Sequence, residues 1–234
     1  MTKAKPAVRE ALLDAAQRLL LVQGFEATSV DEICAGAGVT KGAFFHYFKN
    51  KDKLAKATFE RFCRRGAERY QGAAFVKTKD PLERLNGYID FTISQIQHPT
   101  RDSCLVGVFA QELAPYRPDL RTMCAGMFEQ WALDLKTMLD AVKQQYAPRR
   151  QVDTRSLAQH FIAVFEGSLI LAKADNSVAT LLPYHANFWS KGRLLVALQD
   201  NGAAYVEPNG RGVEICGGDA VEVLPGATAA RRWW

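Results

Sequence analysis

The chain of 234 residues contains no run of 18 uncharged apolar residues, so no membrane-spanning helix is predicted. Its first twenty residues, MTKAKPAVREALLDAAQRLL, carry charge through the positions where a secretion signal holds a clean apolar block. A soluble, cytoplasmic protein with no membrane partner is the expectation. Cysteines are few and scattered: Cys34, Cys63, Cys104, Cys124 and Cys216 are odd in number and never spaced as CxxC, and the four histidines form no HxxxH pair. Neither a disulfide framework nor a metal site is indicated, and the thiols are expected to be reduced. Gly-rich phosphate loops and the G-x-S-x-G elbow are missing too, and no cofactor motif is found. Glu112, Glu129 and Glu166 fall on separate predicted helices without an acidic partner at i+3 or i+4, and His98, His160 and His185 stand alone. No catalytic constellation can be assembled from them, so an enzyme is not predicted.

What is present is a core and a localised charge. With 48% hydrophobic residues the chain can bury a sizeable interior. Residues 1–66 hold twelve Lys and Arg against seven Asp and Glu, a surplus equal to the whole net charge of +5, while the remaining residues balance. A basic segment attached to a neutral, apolar body fits one part that meets a polyanion and another with a different task. On charge alone, a merely solvated basic surface fits equally well.

The hydrophobic spacing predicts an all-α fold. Val8, Leu12, Ala15, Ala16, Leu19 and Val22 recur at helical intervals and stop at Gly24. Thr28-Ser29 offer capping hydroxyls to a short second helix burying Val30, Ile33 and Cys34, with Asp31 and Glu32 in its first turn. Gly38 supplies a tight turn and Thr40 caps a third helix, so two short helices meet at a glycine turn, a helix-turn-helix signal. Within that third helix Phe44 and Phe48, four apart, are the core contacts. Phe45 is then left facing outward beside Lys41, Lys49, Lys51 and Lys53, which suits a DNA groove: apolar contact to a thymine methyl, with the cations on phosphates. A fourth helix follows, capped by Asn50, whose first turn and Lys51 can hold a phosphate.

The string GFEATSVDEICAGAGVTKGAFFHYFKNKDKL, Gly24 to Leu54, resembles the N-terminal DNA-binding domain of TetR-family transcriptional regulators, and the resemblance extends over about residues 6–66. It implies that Lys41, Gly42 and Phe45 approach base edges and that Thr28, Thr40, His46, Tyr47 and Lys51 take phosphates. Phe45 stands where the family usually carries Tyr, so its contact must be purely apolar. Cys34 replaces a common Ala.

Beyond residue 66 helices are expected from Asp80-Pro81 to His98-Pro99, through the all-apolar Cys104–Ala110 segment capped by Asp102 or Ser103, from Arg117-Pro118 to Ala147-Pro148, from Asp153 through Leu169, and over roughly 178–198. These make a larger helical domain, 67–200. Residues 201–234, rich in Gly and Pro, are expected to form a mobile tail, with a hairpin between VEIC and AVEVL as the other option. The resemblance implies an effector site between the central helices, for which Cys104, Phe109, Glu112, Met123, Met127, Trp131, His160, Phe161 and Phe165 are candidates. It also implies a four-helix dimer interface, to which Ala163, Gly167 and Leu195 are assigned. Cys104 follows Arg101-Asp102-Ser103 at a predicted helix N-terminus, where the dipole and a nearby Arg favour the thiolate, and a sensor of electrophiles or oxidants is one possible role, a buried structural cysteine the other.

The favoured function is a ligand- or redox-responsive regulator, most simply a repressor, that binds a palindromic double-stranded DNA operator as a homodimer and answers to a small-molecule or electrophile effector. The rival is a helical small-molecule-binding protein or enzyme with an incidental basic N-terminus. A nonspecific nucleic-acid-binding protein is disfavoured by the large neutral body.

Overall fold

The computed structural model describes residues 5–98, 102–146, 152–180, 203–206 and 213–216. The chain begins with α1 (Lys5–Gln23), whose Leu12, Leu13, Ala15, Ala16 and Leu20 are buried. Gly24, at φ +84°, ends it in a conformation that residues with a Cβ rarely adopt. Helix α2 (Val30–Ala37) starts at a capping box: Glu32 N–H donates to Ser29 Oγ, and Ser29 N–H donates to the Glu32 carboxylate at 2.8 Å. Gly38, at φ 66°, closes it, and its N–H returns to the Ala35 carbonyl. Helix α3 (Lys41–Tyr47) is capped by Thr40, whose Oγ1 accepts from Ala43 N–H, and α4 (Lys51–Gly72) by Asn50, whose Oδ1 accepts from Lys53 N–H at 2.9 Å. All three start signals are side chains read within three residues of the orphan N–H they satisfy.

Helix α5 (Pro81–Ser94) opens with Asp80 as cap and proline in the first turn. It ends at Ser94, short of the expected His98-Pro99. Helix α6 (Leu105–Glu112) begins at Cys104 without any side-chain cap. The expected cap Asp102 instead turns its carboxylate to the N–H groups of Gln97 and His98, both at 2.9 Å, and so closes the preceding loop. The long α7 (Pro118–Tyr146) and α8 (Thr154–Asp175) pack against each other, and Asp153 caps α8 through Arg155 and Ser156 N–H. By length and composition α8 could cross a membrane, yet its Phe161, Phe165 and Leu169 are buried in the protein core.

Two hydrophobic cores result. The first joins α1 to α4 and is closed by Leu105, Val106 and Phe109 of α6 with Leu120 and Cys124 of α7; the second joins α5, α7 and α8. Helix α6 is thus shared property, buried in the core of the N-terminal helices while chemically part of the larger body. Arg61, 1% exposed, rivets α4 to α1 by pairing with Glu10 at 3.0 Å and Asp14 at 2.8 Å, which is how a buried charge is tolerated.

After α8 a 3-10 turn spans Val178–Thr180. The rest of the helix expected over 178–198, including Pro183 and the proposed interface residue Leu195, lies outside the described residues. In the C-terminal segment β1 (Ala203–Val206) and β2 (Val213–Cys216) pair antiparallel with Ala203 opposite Cys216. VEIC therefore pairs with the AAYV segment before it rather than the AVEVL segment after it. The remainder of 201–234, and with it the expectation of a mobile tail, falls outside the described residues.

Candidate nucleic-acid interface and effector cavity

The third helix is divided between two environments. Phe44 is fully buried and Phe48 nearly so, their ring centroids 6.0 Å apart, while Phe45 between them is 57% exposed and meets Phe44 edge-on. Burying two phenylalanines contributes about 1.5–3 kcal/mol each and fixes the roll of the helix. Phe45 then has no choice but to face out. Lys41 and His46 are exposed on the same short helix, and Lys41 Nζ lies 2.8 Å from Asp31 of α2, a bond that raises the lysine pKa and aims its side chain. Gly42 has only Thr40 Oγ1, at 3.8 Å, near the place its Cβ would occupy, so a backbone can approach closely there. Thr40 is exposed with its hydroxyl in the cap, and Tyr47 is half-buried against the core. The surface so formed is aromatic and cationic, suited to base edges and phosphates.

One expected phosphate contact is corrected, and a second residue has partners within the chain. Thr28 is fully buried and its hydroxyl donates to the Gly24 carbonyl at 2.6 Å, so it stabilises the loop between α1 and α2 and reaches no ligand. Lys51 is half-buried; its ammonium donates to the carbonyls of Phe25 (2.8 Å) and Thr28 (2.9 Å) and lies 4.1 Å from the centre of the Phe25 ring. It is a loop anchor, with the cation–π contact adding to its hold.

A cavity of about 560 Å³ lies among α1, α4, α5, α7 and α8, within the range of small-molecule sites, roughly 300–1,000 Å³. Of the candidates, Cys104, Met127, Trp131 and Phe165 line it. The others are elsewhere. Phe109 is fully buried and stacks on Phe59; Met123 packs on the first core; His160 is exposed on α8; Phe161 sits behind Trp131 and Phe165. Glu112 is the sharpest correction: its carboxylate accepts from the backbone N–H of Phe25 at 2.7 Å and of Glu26 at 2.8 Å, tying α6 to the loop before α2.

Sequence reasoning missed Tyr70, Tyr88 and Thr92, which line the cavity. The signal was there: Tyr88 and Thr92 are four apart on α5, and both are buried beside Leu85 and Ile89. It also missed Glu166. That carboxyl is held against Gly107, where a methyl group would collide with it, and burial pushes its pKa up to about 7. Beside it, burial first and the Glu166 carboxyl second push the Cys104 thiol well above its usual range; backbone hydrogen bonds from Gly107 and Val106 oppose this without prevailing. Both raising effects work against the thiolate that a sensor would need and favour the other reading, a buried structural cysteine. Among the described residues no cluster of His, Cys, Asp and Glu is spaced to hold a metal ion.

Residues 12–58 match the family profile described as bacterial regulatory proteins, tetR family, and residues 81–186 match that of the LmrA/YxaF-like transcriptional regulator C-terminal domain. The chain is 31% identical to the HTH-type transcriptional regulator YxaF of Bacillus subtilis over 74% of its own length and 89% of that protein. It is 25% identical to the HTH-type transcriptional repressor DhaR of Mycobacterium sp. (strain GP1) over 74% of its length and 86% of that protein. Among solved structures, the regulatory protein TetR from Rhodobacter sphaeroides superposes with a TM-score of 0.71 at 26% identity, covering 79% of this chain and 98% of that one. With an outward-facing recognition helix held by a buried phenylalanine pair and a helical body enclosing a cavity, the chain belongs to the TetR family and is a DNA-binding, ligand-responsive transcriptional regulator.

Proposed function

We propose that this regulator works as a homodimeric repressor in the cytoplasm, each protomer laying α3 into the major groove of one half of a palindromic operator, and that a small molecule entering the cavity releases it. The observation that carries this reading is the division of α3: Phe44 and Phe48 inward, Phe45, Lys41 and Gly42 outward. Dimerisation is supported by α8, where Ala163, Gly167, Ile170, Leu171 and Ala174 form a stripe of small and apolar residues, exposed except for the half-buried Gly167, Ile170 being 50% exposed and Leu171 44%. No reaction is assigned to the cavity.

Signal transfer has a physical route. The start of α6 touches the cavity through Cys104 and Val106, and its end grips the α1–α2 loop through Glu112. Arg117, just beyond, pairs with Asp52 in the first turn of α4 at 2.8 Å, and Lys173 of α8 donates to the Leu21 carbonyl at 2.9 Å. A ligand that displaces α6 therefore moves the reading head with it, and its differential affinity for the two arrangements sets how far DNA binding falls. The test is a fluorescence-anisotropy titration of duplex DNA at several salt concentrations. Affinity that falls linearly on a log–log plot, with a slope of about 0.9 per phosphate contacted, supports the reading, and no salt-dependent affinity overturns it.

A further inference from the structure

Asp31 and Lys41 bridge the helix-turn-helix, from the first turn of α2 to the first residue of α3, with the lysine Nζ 2.8 Å from the aspartate Oδ1. Both backbones are fixed beside caps: Asp31 lies within the Ser29–Glu32 capping box, and Lys41 follows Thr40, whose Oγ1 accepts from Ala43 N–H. Lys41 and Phe45 are four apart, so the bridge stands on the flank of α3 that carries the outward ring. Lys49 and Lys53, exposed nearby, have no ion pair among the described residues.

Asp31 and Lys41 are both exposed, and an exposed pair does little for stability, because water and salt screen it. Facing a polyanion, the carboxylate opposes binding, so a surface that only attracted phosphates would be better without it. What the carboxylate supplies is direction. An ammonium is a compact group with three N–H donors that turns freely on a long stem. Asp31 takes one donor and leaves two, and the bond raises the lysine pKa, so the nitrogen keeps all its protons. In the major groove, the base edge with two adjacent acceptors is that of guanine, through N7 and O6.

We propose that Asp31 is a positioning residue for base readout: held on its carboxylate, Lys41 is withdrawn from the phosphates and presented to a guanine edge. The proposal rests on α3 being the reading helix. Lys49 and Lys53 are left to attract the backbone, so holding DNA and reading it fall to different cations.

The test compares Asp31→Asn, Asp31→Glu and Lys41→Ala in the full chain by fluorescence anisotropy. Two duplexes are used, one carrying the half-site enriched from a random library and one with the base pair read by Lys41 replaced, that pair being the one whose preference Lys41→Ala removes. The ratio of the two affinities cancels any uniform change in charge or folding. Asp31→Asn is expected to lower the ratio about fivefold, the lower end of what one good base contact discriminates. It should also tighten binding of the replaced duplex and steepen its salt slope by about 0.9, as the freed ammonium moves to a phosphate. Asp31→Glu keeps a carboxylate within reach and should restore the native ratio, and in a Lys41→Ala background Asp31→Asn should leave the ratio untouched. A native ratio in Asp31→Asn, an unchanged slope, a loss that Asp31→Glu shares in full, or an equal fall when Lys41 is already absent overturns the inference. Failure of the α3 reading looks different and overturns both: no salt-dependent binding of either duplex by the native chain, or a Lys41→Ala variant with the native preference at every position.

Discussion

The carboxylate of Glu112 receives the backbone N–H of Phe25 at 2.7 Å across 87 residues of sequence, and directly beneath it Gly24 takes φ +84°, where a Cβ would stand 2.7 Å from Glu112 Oε2. One contact thus joins the last turn of α6, the end of α1 and the entry to the helix-turn-helix. Glu112→Ala strands two N–H groups that hydrogen-bond a charge, each worth on the order of 1–3 kcal/mol. The variant should melt at lower temperature, and effector addition should release less DNA than from the native protein. Differential scanning calorimetry and an effector-titrated anisotropy assay read the two effects. Gly24→Ala should resemble it in both.

Adjacent phenylalanines on α3 should behave oppositely. Phe44→Ala empties a fully buried site and is expected to cost about 3–5 kcal/mol in urea unfolding. Phe45→Ala, at a position 57% exposed, should leave the unfolding midpoint nearly unchanged while altering which base pairs the protein prefers.

Lys51→Met separates loop anchoring from phosphate binding. Its ammonium is held by the carbonyls of Phe25 and Thr28, so the substitution should destabilise the N-terminal helices by about 1 kcal/mol. A residue whose main task is one phosphate contact would instead reduce the salt slope by about one with stability intact.

These residues mark the boundary of what the sequence could disclose. Ser29, Thr40, Asn50, Gly38 and Asp80 act on groups a few positions away, and each was legible because its partner is local. Phe45 was legible because Phe44 and Phe48 share a helical face. Thr28 was misread because a hydroxyl near a helix start fits a cap, a phosphate contact or a loop bond, and only the fold decides among them. Glu112, Lys51 and the Tyr88–Trp131 pair depend on partners 23 to 87 residues away, which no local pattern records. The missing cap on α6 has a different, local origin: the Asp102 carboxylate is taken by the N–H groups of Gln97 and His98, five and four residues before it, rather than by the helix that follows.

Glu166 makes stability depend on pH. Its carboxyl is raised from 4.5 to about 7 by burial, so between those values the folded chain holds a proton that the unfolded chain has released, and stability falls as pH rises through that window. The full contribution is on the order of 3 kcal/mol at most. Glu166→Gln should flatten the profile: near pH 5 the two proteins unfold together, and at pH 8 the variant is the more stable. Urea denaturation across pH 5–8 measures it.

The exposed apolar residues on α8 should mediate self-association. Ile170→Glu, at a side chain 50% exposed in the protomer, is expected to leave the fold intact and convert dimer to monomer by light scattering, with loss of tight DNA binding because each half-site then acts alone.

The most direct measurement of the central claim, that the outward side of α3 reads duplex DNA in a paired arrangement, is selection from a random duplex library followed by sequencing. Enrichment of an inverted repeat whose half-sites lie about one helical turn apart, ~34–36 Å, with the half-site consensus shifted by Phe45→Ala, is the predicted result. Recovery of unenriched sequences, or a consensus indifferent to Phe45 and Lys41, would contradict it.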